Sequence, residues 1–135
     1  MKAAQMAQAL QALLAQAPGV QGCALVDASS GLLWHRAGVD FGPHLVWEAA
    51  VDYWRLQERL HAHFEPLGDL GAATLHHREG VVVLLPCVPE HHLLLVAVAR
   101  HRAVDWRQWQ HLSASLAQTL RLALQGLSAE PAPQS

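Results

Sequence analysis

Apolar residues open the chain at helical spacing. Met6, Leu10, Leu13 and Leu14 recur on one side, and Gln5, Gln8, Gln11 and Gln16 take other positions. This pattern predicts a helix over Ala3–Ala17, ended by Pro18-Gly19. The periodicity then changes. Val20–Asp27 is short and apolar, Ala28-Ser29-Ser30-Gly31 has turn chemistry, and Leu32–Arg36 reads as a second strand of one hairpin. Gly38–Pro43 is a connection, with Pro43 suited to the first turn of a helix. That helix is predicted from about His44 to about Glu65, with Pro66 and Gly68 marking its end. Gly71–Arg78 reads as a third strand and Glu79-Gly80 as a tight turn. Val81–Leu85 is a solid apolar run closed by Pro86, and Leu93–Ala99 is another. Strands that are apolar at every position are covered on both faces, so the central strands are expected between two layers of helix. A last helix begins near Asp105, where Asp105 and Gln108 have the spacing of a capping box. Its apolar stripe is Trp109, Leu112, Leu116, Leu120, Ala123 and Leu127.

The predicted order is α–β–β–α–β–β–β–α, an α/β fold in one domain over residues 1–127. Residues 128–135 form a Pro-rich tail expected to be flexible. The last helix has one apolar side, as a single core requires. The middle helix has two. At about 100° per residue, Leu45, Ala49, Tyr53, Leu56, Leu60 and Phe64 share one face. Trp47, Val51 and Trp54 cluster nearly opposite, and Glu58, His61 and Glu65 continue that second face. The longer stripe is expected to pack on the sheet. The second face then lacks a partner, and its tryptophans are costly to leave in water. Trp47, Val51, Trp54, Glu58 and His61 are thus candidate residues of a protein–protein interface, most simply that of a twofold homodimer. The alternative is that the Val39-Asp40-Phe41 connection or the tail folds over them.

Composition narrows the function. Of 135 residues, 52% are hydrophobic and 15% charged, which favours compact folding and a surplus of apolar surface for an interface. The net charge is −2, the only lysine is Lys2, and the eight arginines are scattered, so no basic stripe marks a nucleic-acid partner. No run approaches the roughly 20 apolar residues of a membrane span. Met1–Ala17 is glutamine-rich and amphipathic rather than a secretion signal, so the cytoplasm is the expected compartment.

Candidate chemistry is sparse. Cys23 and Cys87 sit in separate apolar segments and read as buried free thiols. His76-His77 and His91-His92 suggest metal ligands, but neighbours on a regular strand point to opposite faces. Glu58 and His61, at i and i+3, suit co-ligation on a helix, yet three or four convergent ligands are needed and no such set is evident. No glycine-rich loop has nucleotide-binding spacing. Ser29-Ser30 have no evident base. The expectation is a chain that is not an enzyme and holds no metal or cofactor.

Several local patterns resemble the Roadblock/LC7 family, which includes dynein light chains and bacterial regulators of small Ras-like GTPases. The residues that carry the resemblance are the run from Leu13 through Pro18-Gly19-Val20 to Asp27, then Gly31-Leu32, Gly80–Pro86 and Leu93–Ala99. It spans about Ala3 to Leu127. The resemblance implies a five-stranded antiparallel sheet with the middle helix on one side and the terminal helices on the other. It also implies dimers in which middle helices pack together and third strands pair across the twofold axis. The functions implied are adaptor, scaffold or GTPase regulator, with no nucleotide site in the chain itself. Trp47, Trp54 and the ten histidines depart from the family pattern. A different class, a small-molecule sensor of profilin-like or PAS-like fold, remains open, with a pocket among Trp47, Trp54 and the sheet.

Overall fold

The structure, a computed structural model, describes residues 2–39, 45–100 and 104–128. Helix α1 (Lys2–Ala15) leads into a hairpin of β1 (Val20–Asp27) and β2 (Leu33–Gly38). Helix α2 (Leu45–Arg59) follows, then β3 (Ala73–His76), β4 (Val81–Val88), β5 (Leu93–Ala99) and α3 (Trp106–Ser128). Two short 3-10 segments, His61–Leu67 and Pro89–His91, follow α2 and β4. Among the described residues, no helix is long and apolar enough to cross a membrane.

The five strands form one antiparallel sheet in the order β2-β1-β5-β4-β3. Every residue of the central strand β5 is buried, because alternate side chains enter two different cores. Leu93, Leu95 and Ala97 join Leu10, Leu13, Trp109, Leu116 and Leu120 beneath α1 and α3. Val96 and Val98 join Ala24, Val26 and Leu84 beneath α2. This is the two-layer covering, and the placement of middle and terminal helices, expected from the solid apolar strands and from the family pattern.

Local chemistry explains the junctions. Asp27 Oδ1 accepts hydrogen bonds from the amides of Ser29 (2.8 Å) and Ser30 (3.2 Å) and from Ser29 Oγ (2.6 Å), closing the first hairpin. Gly31 sits there at φ +80°, a conformation that favours glycine. Asp105 Oδ1 accepts from the amides of Arg107 and Gln108, each at 3.1 Å, which makes it the N-cap of α3.

Several element boundaries differ from the sequence reading: α1 ends at Ala15 rather than Ala17, β2 runs past Arg36 to Gly38, and β3 covers only Ala73–His76 of the expected Gly71–Arg78. The long α-helix expected to Glu65 ends at Arg59 and tightens into a 3-10 turn. Pro66 disfavours the helical conformation at Glu65, and its ring would meet the carbonyl four residues earlier. Strand β4 runs through Pro86 to Val88 instead of stopping before the proline. Strand β3 begins at Ala73, opposite Leu84, so past Leu84 β4 has a strand neighbour on one side only, where proline is tolerated. Helix α3 continues to Ser128, the first residue of the expected tail, and the rest of that tail lies outside the described residues.

The largest correction concerns the faces of α2. Trp47 and Val51, expected at an interface, are 0% and 1% exposed and pack on the sheet with Ala50. Tyr53, Leu56, Leu60 and Phe64, expected in the core, are 48%, 44%, 37% and 42% exposed, and Ala49 is exposed too. Bulk decides the orientation. The sheet residues under α2 are small or medium (Ala24, Val26, Leu84, Val96 and Val98), and the indole of Trp47 supplies the bulk that packs on them. A buried indole also removes more area from water than any residue of the longer stripe. That stripe, moreover, extends past Arg59 into the 3-10 segment, in which no residue is buried.

Candidate protein-interaction surface

Helix α2 is fixed on the sheet by more than its buried stripe. Arg55 donates from Nε to the Ala28 carbonyl (3.2 Å) and from Nη2 to the Ser29 carbonyl (2.9 Å), clasping the β1–β2 turn. Asp52 lies 3.9 Å from the same guanidinium. The charged flank of α2 that carries Asp52 and Arg55 therefore sets the position of the helix along the sheet.

With Trp47 and Val51 turned inward, the outward side of α2 carries Tyr53, Leu56 and Leu60. Phe64 and Leu67, the latter 82% exposed, continue the apolar surface through the 3-10 segment. Monomeric proteins rarely leave so many large apolar side chains contiguous in water. Strand β3 is the sheet edge on the β4 side. Its Ala73 and Leu75 pack toward the α2 layer, and Thr74 and His76 are exposed. A free edge strand offers unpaired backbone groups to another strand.

The remaining residues of the sequence-derived interface lie elsewhere. Trp54 is partly buried at the end of the inward stripe, and Glu58 and His61 follow it, exposed, on the same side of the chain. The structure brings these three together with Gln57, Asp69, Leu70, Pro86 and Pro89 around a cleft of about 440 Å³. The pocket expected among Trp47, Trp54 and the sheet is not what forms. Trp47 is packed solid, and the cleft opens beside Trp54 at the surface.

No group of three or more potential metal ligands exists among the described residues. Cys23 and Cys87 are free and buried, and burial pushes both thiols up to about 12, which keeps them protonated and unreactive at neutral pH. Arg121 of α3 makes a bidentate ion pair with Glu90, just after β4. The hydrogen bond to the guanidinium holds the Glu90 carboxyl below its ordinary range.

The outward stripe is what the sequence reading missed as a surface. A signal for it was present. Phe64 lies two residues before Pro66, and a proline disturbs the helical turn ahead of it, so the end of the stripe is not held to the sheet by a regular helix.

No protein-family profile matches the chain, and no curated protein matches it in sequence. Solved structures do match in shape. A Roadblock/LC7 domain from Streptomyces avermitilis superposes with a TM-score of 0.75 at 17% identity, covering 87% of this chain and 96% of that one. Myxococcus xanthus MglB superposes with a TM-score of 0.68 at 11% identity, covering 93% and 91%. An MglB in a tetrameric arrangement gives 0.69 at 15% identity, covering 90% and 92%. The chain has the Roadblock/LC7 fold.

Proposed function

We propose that this chain is a non-catalytic, homodimeric protein-interaction module of the cytoplasm, and that it serves as an adaptor or regulator of a small Ras-like GTPase. The observation that carries the reading is the outward stripe of Tyr53, Leu56, Leu60 and Phe64, 37–48% exposed along α2 and the turn that follows it, on a helix locked to its sheet. Two copies related by a twofold axis would bury this stripe against itself, and the β3 edges would pair alongside. A tetrameric arrangement of MglB, on the same fold, supports self-assembly of this chain. The GTPase part of the reading rests on the family resemblance and on the match in fold to MglB and to MglC of Myxococcus xanthus.

Light scattering at micromolar concentration tests the assembly. The expected mass is twice that of one chain, and Leu56→Arg with Leu60→Arg is expected to give a folded monomer. A wild-type monomer overturns the dimer. Calorimetric titration with a purified small Ras-like GTPase, in its GDP and GTP forms, tests the regulator reading; binding to neither form overturns it.

A further inference from the structure

The inward stripe of α2 changes character part-way along the helix. Trp47, Ala50, Val51 and Trp54 fill the space over the sheet. One turn further, the same side presents Gln57, Glu58 and His61, and the space beneath them is the open cleft of about 440 Å³. Pro86 of β4, Pro89 and the segment carrying Asp69 and Leu70 complete the lining. The lining thus combines the partly buried indole of Trp54, two prolines and a leucine with Gln57, the imidazole of His61 and two carboxylates, Glu58 and Asp69. Two arginines of the neighbouring helices are engaged elsewhere: Arg55 on the β1–β2 turn and Arg121 on Glu90. Neither Glu58 nor Asp69 has an ion-pair partner among the described residues. The volume is at the small end of ligand clefts, roughly 300–1,000 Å³, which suits one long side chain and its neighbours rather than a large cofactor.

We infer that this cleft receives an arginine side chain of a protein partner. A guanidinium is weakly hydrated, stacks on an indole and meets carboxylates in a bidentate fork, so each part of the lining has a matching part of one side chain. The prolines and Leu70 cover its methylene stem. Both carboxylates are exposed, so an uncharged apolar anchor gains nothing from them, whereas a cation is drawn to both. The cleft lies on the sheet-facing side of α2, apart from the outward stripe, so the inference does not depend on the dimer.

The probe is N-acetyl-arginine amide, titrated into the full chain while the indole and backbone amide resonances are followed by NMR. The expected result is a saturable shift confined to Trp54, Glu58, Asp69 and Leu70. N-acetyl-citrulline amide, the uncharged analogue, and N-acetyl-lysine amide are expected to bind at least about tenfold more weakly. The double variant Glu58→Gln, Asp69→Asn is expected to lose about tenfold in affinity for the arginine probe with an otherwise unchanged spectrum. Equal binding of arginine and citrulline amides overturns the inference, as does no shift at 100-fold excess of probe, or a lysine amide that matches arginine. Saturation of the same resonances by Zn²⁺ but not by the arginine probe also overturns it, in favour of a metal site. Light scattering on the same samples keeps the result separate from that for dimerisation.

Discussion

At the scale of single residues, two aromatic side chains on one helix have opposite fates. Trp47 is enclosed by Ala24, Val26, Val96 and their neighbours, and Tyr53 stands in solvent less than two turns away. Trp47→Ala removes a filled indole from a small core and is expected to cost about 3–5 kcal/mol. Leu60→Ala is expected to keep the helix and sheet signals and weaken association instead. Urea denaturation and light scattering on the two variants check the pair, and a Trp47→Ala protein as stable as wild type would return the indole to the surface. Asp27 gives a second residue-level expectation. Its hydrogen bond from Ser29 Oγ, with those from the Ser29 and Ser30 amides, lowers the carboxyl below its ordinary value of 3.8. A group depressed by folding adds stability above its unfolded value and loses it as pH falls through the folded one. Stability should therefore drop on acidification below about pH 4, and Asp27→Asn should flatten that part of the profile in acid-denaturation curves.

At the scale of elements, what the sequence reveals depends on how many forces agree. Strands β1 and β5 were readable to the residue, because apolar runs, turn chemistry and burial on both faces all point the same way. The start of α3 was readable from Asp105, and Asp105→Ala is expected to cost about 1 kcal/mol in a thermal melt. Helix α2 was readable as a helix with two apolar faces but not for which face goes inward. Periodicity reports that a stripe exists. The width of the gap it must fill is set by residues distant in sequence, here Ala24 and Val96, and no local pattern carries that. The same limit hid the cleft. Trp54, Glu58 and His61 could be grouped from helical spacing, whereas Asp69, Pro86 and Pro89 join them only through the fold.

At the scale of the whole molecule, the sheet divides the interior unequally. Among the described residues, twenty-one buried side chains form the core under α1 and α3, and eight form the core under α2. Helices α1 and α3 also pack on each other, whereas α2 has the sheet and the Arg55 clasp. Protection against amide hydrogen exchange follows local opening free energy, which falls with the apolar contacts an opening must break. The α2 amides are therefore expected to exchange faster than those of β5 and of the α1–α3 pair, in native conditions and by mass spectrometry of peptides. Uniform protection across the chain would contradict the division. Any partner that grips the outward side of α2 then acts on an element close to its own opening equilibrium. Such a partner slows exchange along the whole helix, including the indole side it never touches. Occupancy of the surface is in this way written into the lifetime of a buried layer, where a deuterium label can read it.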